Sequence, residues 1–234
     1  NIDLNVNDFD GIKKLVINEG IHLVIVGPED PLVNGIRDYF ETDQKLKHVL
    51  LVGPGKAGAE LEGSKDFSKK FMERHGIPTA SSRTFTAENL ADGLEYVQTH
   101  PTPVVLKADG LAAGKGVIIS ETNSHAEKTL KEMLIDAKFG DASSRVVVEQ
   151  FLTGIELSVF VLTDGTNYKV LPAAKDYKRI GEKDTGLNTG GMGAVSPVPF
   201  ADKEFLNKVD KKVIQPSING LKKDGIDFKG FLFI

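Results

Sequence analysis

The sequence predicts a chain that opens as part of an α/β, doubly wound parallel sheet and continues as an α+β unit. Two apolar runs without alternation, HLVIV at 22–26 and VLLV at 49–52, flank a helical stretch, the pattern of neighbouring parallel strands joined by a crossover helix. Beyond Gly76, Ile77 and Pro78, helices and strands are interspersed, and TDGT at 163–166 is placed to turn two strands into a hairpin. A third observation is DTGLNTGGMGA at 184–194, where four of eleven residues are glycine. Such a segment is expected to form neither a good helix nor a good strand, because glycine loses too much backbone freedom there.

The elements follow in order. Asp8 caps a first helix that carries Ile12, Leu15 and Val16 on one face and ends at Gly20. Residues 22–26 form a buried strand. Asp30 then caps a new helix with Pro31 in its first position, where the missing N–H costs nothing. Residues 49–52 form a second buried strand. Residues 63–75 read as one helix, with Phe67 and Phe71 stacked at i and i+4. A new domain begins after Pro78, with a helix at 87–99, strands at 103–108 and 116–120, a helix at 124–137 and a strand at 145–150. The hairpin strands are 156–162 and 168–171. A last helix starts near Asp202 and buries Phe205, Val209, Val213 and Ile218, with a kink expected at Pro216. The predicted divisions are thus 1–78, 79–150 and 151–234, and no repeat or low-complexity tract interrupts them.

Composition narrows the chemistry. A net charge of −4 and a pI near 5.8 give no general attraction to nucleic acid or an anionic membrane. A phosphate ligand must therefore be held by local lysines and backbone. The chain has no cysteine, so disulfides, thiolate metal sites and a thiol nucleophile are excluded, which fits a cytoplasmic protein. No apolar run approaches the roughly 18 residues of a membrane span, and no signal peptide is expected. His22, His48, His75, His100 and His125 fall in no metal-like spacing, and no metal ligand is assigned.

Several motifs carry chemistry. Lys107 lies within the strand PVVLKA, on one face with Val105, and a lysine there is costly to bury without an anionic partner. The bland reading is a stem along the surface with its head in water. The loop DGLAAGKG follows, in which Gly110, Gly114 and Gly116 free the backbone and Lys115 can wrap phosphate oxygens. It is not a Walker loop: the spacing is one residue short, Gly116 replaces the Ser or Thr, and a strand follows instead of a helix. GPGKAG at 53–58 matches GxGxxG, yet no second strand with an acidic end follows, so a nicotinamide or flavin site is rejected. Gly27, Pro28, Glu29 and Asp30 stand at the carboxyl end of a parallel strand and at a helix start. Amides there favour an anion, and the two carboxylates favour a hydroxyl or amine. VEQFL leaves a strand at the junction of two units, a common place for a crevice. Taken alone, Glu149 and Glu156 read as exposed alternation, Lys65 as a solvated helix residue, and KDYKR at 175–179 as a solvated turn or a phosphate-orienting cluster.

In order, VGPEDPLV (26–33), LEGSKDF (61–67), KADGLAAGKGV (107–117) and DTGLNTGGMGA resemble the glycinamide ribonucleotide synthetase family, the phosphoribosylamine–glycine ligases of the ATP-grasp superfamily. The resemblance spans essentially the whole chain. It implies a partial N-terminal substrate domain, a small ATP-grasp lid and a central ATP-grasp subdomain truncated at its C-terminal end. The implied reaction is ATP-dependent ligation of glycine to 5-phosphoribosylamine through a glycyl phosphate, in purine synthesis, with no covalent enzyme nucleophile. By resemblance Lys65, Lys107, Gly110, Gly114, Lys115 and Gly116 hold the triphosphate, the backbone at Glu149, Phe151 and Leu152 meets adenine, and Glu156 takes the ribose hydroxyls. Gly27, Pro28, Glu29, Asp30, Lys178, Asp184, Asn188, Thr189 and Gly190 would serve the other substrates. Mg²⁺, or Mn²⁺ in its place, is expected on ligands beyond Ile234. The chain is therefore expected to be an internal fragment, compatible with a monomer, that binds ATP weakly and turns over nothing alone. Leu187 stands where the family usually has proline, a departure expected to alter loop stiffness and not chemistry. The alternatives are another ATP-grasp carboxylate–amine ligase and a non-catalytic nucleotide-binding fragment.

Overall fold

The computed structural model describes residues 1–112, 116–183 and 185–234, with the backbone alone at Asn188. Contacts divide the chain into two compact units: Asn1–Gly63 with Ser158–Ala173 and Pro199–Ile234, and Ser64–Leu157 with Ala174–Val198. The predicted three-part division remains a proposal.

The first unit begins with helix α1 (Phe9–Asn18), whose cap Asp8 accepts from the Gly11 amide as expected. Strands β1 (Leu23–Ile25) and β2 (Leu50–Val52) pair in parallel, Leu23 opposite Leu50. Helices α2 (Glu29–Val33), α3 (Ile36–Thr42) and α4 (Lys56–Gly63) join and follow them. Val16, Val26, Leu32, Ile36, Phe40, Leu46, Val49 and Ala59 form the core. The two strands are buried on one face only, because side chains alternate across a strand. Leu23, Ile25 and Leu50 are at least half exposed, which corrects the expectation of fully buried strands. Asp30 is not a cap either. α2 starts after Pro28, Pro31 is its third residue, and the Asp30 carboxylate accepts instead from Asn7 and, at 3.3 Å, from Asn34. The first four helical N–H groups lack intrahelical acceptors, so proline is tolerated there too.

An antiparallel sheet of order β11-β7-β8 completes this unit, from β7 (Phe160–Thr163), β8 (Tyr168–Val170) and β11 (Gly230–Phe233). Asp164 closes the expected hairpin turn by accepting from the amides of Thr166 (2.8 Å) and Asn167 (2.6 Å). The last helix runs through α8 (Lys203–Val209), a π-helical turn (Asp210–Ile214) and α9 (Gln215–Lys223). The irregularity foreseen at Pro216 thus lies in the turn before it, where a wider ring relieves the clash with the preceding carbonyls. The extra residue rotates the buried face: Ile214, Ile218 and Leu221 are inside, while Phe205 is exposed.

The second unit opens with α5 (Lys65–Arg74), so residues 63–75 hold the boundary between two helices, where the Ser64 hydroxyl caps α5 at the Phe67 amide (3.0 Å). A four-stranded antiparallel sheet of order β3-β6-β4-β5 follows, from β3 (Ser82–Thr86), β4 (Val104–Ala108), β5 (Val117–Ser120) and β6 (Arg145–Gln150). Helices α6 (Leu90–Thr99) and α7 (Asn123–Leu134) cover one face, where Phe85, Val97, Val104, Leu106, Ala108, Leu130, Met133, Val146 and Val148 are buried together. The alternate side chains of the same strands, including Thr84, Val105, Lys107, Val147 and Glu149, stand on the opposite face.

The glycine-rich segment departs furthest from expectation. It forms strand β10 (Thr185–Val195), antiparallel to β9 (Lys175–Gly181), which replaces the turn read at KDYKR. The register shifts between Thr185 and Asn188 and again between Asn188 and Gly193. Glycine disfavours a regular ladder but accommodates such bulges, so the ribbon is irregular and still paired.

Candidate functional site

The polar face of the second unit's sheet brings together three distant stretches of sequence. Ser64, which starts α5, donates to both carboxylate oxygens of Asp109, at 3.1 and 3.2 Å. Asp109 is buried at the end of β4, accepts from the Asp66 amide at 2.7 Å and pairs with Arg145 at 2.6 Å. Asp66, also buried, accepts from Thr84 at 2.6 Å and from Lys70 at 2.7 Å. The start of α5, the end of β4 and the start of β6 are thereby tied at one point. Fully partnered, such a buried polar network makes the geometry specific.

Three ammonium groups meet on this scaffold. Lys65 donates to the Gly110 carbonyl at 3.1 Å, so it is not the solvated helix residue of the bland reading. Lys107 pairs with Glu149 at 2.8 Å, and Lys69 approaches the same carboxylate oxygen at 3.5 Å. Val105 faces Glu149 across the ladder and Lys107 lies two residues further along the same face, which is why this diagonal pair can meet. Glu149 is only 4% exposed, so the reading as exposed strand alternation is overturned. Burial lowers the pKa of Lys65, with Asp109 opposing and the Lys107 charge reinforcing the shift. Burial likewise lowers the pKa of Lys69, opposed by Glu149. Lys69 and Lys107 share the Glu149 carboxylate, Asp109 is matched by Arg145, and Lys65, held by backbone carbonyls, has no ion pair of its own among the described residues. A local excess of positive charge in a partly desolvated place suits a polyanion.

Two predicted glycines have steric reasons to be glycine. A Cβ on Gly116 would lie 2.8 Å from the Ala112 Cβ, and the Gly116 carbonyl accepts from the Ala108 amide at 2.8 Å to close β4 on β5. A Cβ on Gly110 would crowd Ala142 at 3.1 Å. Gly114, Lys115 and Asp184 lie outside the described residues, as does the side chain of Asn188.

After β6 the chain leaves the sheet, and Phe151 and Leu152 are exposed. Glu156 pairs with Lys178 of β9 at 2.7 Å, which raises the lysine's pKa. This joins two residues that the sequence placed with different ligands. The Thr189 hydroxyl donates to the Lys178 carbonyl at 2.8 Å and accepts from the Gly191 amide at 3.1 Å, so it shapes the bulge. Around Gly190 and Gly193 nothing stands within 4 Å of a Cβ position, and Leu187 is 82% exposed. In the first unit, Gly27 also has open space, and Pro28, Glu29 and Asp30 are exposed beside it at the carboxyl end of β1.

Sequence reasoning missed Lys69, Asp66, Asp109 and Arg145. Lys69 had one signal, its i+4 spacing from Lys65 on a single helix face. Among the described residues no three histidine or acidic side chains form a metal-like group, and no helix is long and apolar enough to cross a membrane.

Comparison with known proteins divides the chain in sequence between residues 62 and 63. The family described as phosphoribosylglycinamide synthetase, N domain, matches residues 1–62, and phosphoribosylglycinamide synthetase, ATP-grasp (A) domain, matches residues 63–234. The chain is 46% identical over 233 residues to a phosphoribosylamine–glycine ligase of Haemophilus influenzae, covering 100% of this chain and 53% of that protein. It therefore spans about half the length of the curated relatives it matches. A crystal structure of phosphoribosylamine–glycine ligase from Thermotoga maritima superposes with a TM-score of 0.76 at 32% identity, over 90% of this chain and 50% of that one. Carboxyaminoimidazole ribonucleotide synthase from Aspergillus clavatus, complexed with ATP, shares the fold at a TM-score of 0.65 and 14% identity, over 98% of this chain and 53% of that one.

Proposed function

The chain belongs to the phosphoribosylglycinamide synthetase family, and from that premise we propose that the gene product carrying it ligates glycine to 5-phosphoribosylamine. ATP is the driving substrate and glycinamide ribonucleotide, ADP and phosphate are the products. The observation that carries this reading is the pair Lys69 and Lys107 on buried Glu149, with Lys65 held at the Gly110 carbonyl of the neighbouring loop, in a stretch whose sequence matches the ATP-grasp domain.

Each group has a task in the proposal. Lys65 and Lys107 take the triphosphate oxygens, with the backbone of the loop at Gly110, Gly114, Lys115 and Gly116. The backbone at Glu149, Phe151 and Leu152 receives adenine, and Glu156 receives the ribose. Gly27, Pro28, Glu29 and Asp30 address the amino sugar phosphate, while Lys178, Asp184, Asn188, Thr189 and Gly190 line the acceptor pocket. A glycine carboxylate oxygen attacks the γ-phosphorus and ADP leaves. The amine nitrogen of phosphoribosylamine then attacks the acyl carbon, phosphate leaves with that carboxylate oxygen, and the nitrogen loses a proton. No side chain becomes covalently bonded, so positioning and charge neutralisation do the catalytic work. Mg²⁺ or Mn²⁺ would neutralise phosphate charge during the transfer, held by ligands expected beyond Ile234. The chain by itself would bind ATP weakly and turn over nothing. A cytoplasmic monomer that acts on small molecules, without nucleic acid or membrane, completes the proposal.

The acyl phosphate is tested with glycine labelled with ¹⁸O in its carboxylate. One labelled oxygen should appear in the phosphate released by the gene product. Unlabelled phosphate with labelled product would remove the glycyl phosphate step.

A further inference from the structure

We propose that Lys69 is a positioning residue of the nucleotide site: by sharing Glu149 it leaves the Lys107 ammonium free to turn N–H donors toward a triphosphate. This rests on the ATP-binding part of the proposed function. The two lysines meet one carboxylate oxygen but are held differently. Lys69 reaches Glu149 at 3.5 Å while donating to the Thr79 hydroxyl at 2.7 Å and the Ala80 carbonyl at 3.0 Å. An ammonium has three donors, and these acceptors occupy them. Its side chain is 13% exposed, against 29% for Lys107, whose one ionic partner among the described residues is Glu149 at 2.8 Å. Lys69 is therefore anchored, and Lys107 has donors to offer.

The charge balance explains why two lysines are needed. A carboxylate as buried as Glu149 requires a counter-ion. With Lys107 alone, that demand would compete with the phosphates for the same ammonium. With Lys69 in place, Glu149 keeps a partner when Lys107 turns toward a ligand. Removing the Lys69 charge should thus weaken binding of a triphosphate and leave a nucleoside without phosphates unaffected.

The test is equilibrium binding of ATP and of adenosine to the gene product carrying this chain. For Lys69→Met we expect about tenfold weaker ATP binding, the scale of one charged hydrogen bond, with adenosine changed less than about twofold. Lys69→Arg keeps the charge and should keep the ATP-to-adenosine affinity ratio. If Lys69→Met does not fold, Lys69→Gln, which can still donate to Thr79, makes the same comparison. Equal weakening of both ligands, or no weakening of either, overturns the proposal and leaves Lys69 a purely structural contact. Wild-type protein that binds no ATP would overturn the nucleotide reading itself, and this proposal with it.

Discussion

Glu149 and Asp66 show why the useful residues of this chain are hard to rank by type. Each is an acidic residue that a strand or helix pattern would place in water, and each is buried against cations instead. Burial pushes the Asp66 carboxyl upward, but hydrogen bonds from Lys70 and Thr84, with the charges of Lys70 and Arg145, outweigh it and hold the pKa below the ordinary value. A depressed folded pKa means that the contribution to stability is complete above the unfolded pKa and is lost as pH falls through the folded one. Asp66→Asn should therefore cost about 1–2 kcal/mol near neutral pH, the scale of hydrogen bonds to a charged group whose cations, Lys70 and Arg145, stay largely in solvent. In urea unfolding, that cost should shrink as the buffer is taken down through the carboxylate range. A pH-independent cost would mean that packing, not charge, holds Asp66.

Among the elements, regular ones were legible and irregular ones were not. α1, α7, β4, β5 and β6 follow from apolar period and caps, because local and tertiary preferences agree there. β10 was not legible, since pairing with β9 overrides a glycine-rich composition. β3 was missed because its residues, SRTFT, have one buried apolar side chain, Phe85, and take their register from β6. The sites at Lys65 and Lys107 came from motifs, whereas the partners that hold them, Glu149 apart, came from three-dimensional proximity that no spacing encodes. β11 carries a sharper prediction. Gly230 has φ +142, and a Cβ there would lie 2.8 Å from the Gly53 backbone, which accepts from Arg37 at 2.9 Å. Gly230→Ala should cost about 2–4 kcal/mol, combining left-side backbone strain with a clash that backbone cannot relieve cheaply. Gly20, at φ +62 with nothing within 4 Å, is the control, and Gly20→Ala should cost only about 1 kcal/mol by urea unfolding.

At the scale of the whole molecule, the family is fixed by both matched domains, and the ATP-grasp fold by neighbours of low identity as well as by a relative. The proposed chemistry needs protonated ammoniums at the triphosphate. Burial lowers the pKa of both Lys65 and Lys69, so each loses its proton at a lower pH than an exposed lysine. ATP affinity should accordingly fall on the alkaline side before the ordinary lysine range, near 10.4, is reached, while adenosine affinity stays level. Parallel loss of both would point to unfolding. The most direct test of the central claim is ADP formation from Mg-ATP by the gene product carrying this chain, with glycine and with phosphoribosylamine generated in situ. ADP release that requires both substrates together, in step with glycinamide ribonucleotide, is the predicted result. ADP release indifferent to phosphoribosylamine would contradict the ligase assignment and leave only an ATP-grasp enzyme with another acceptor.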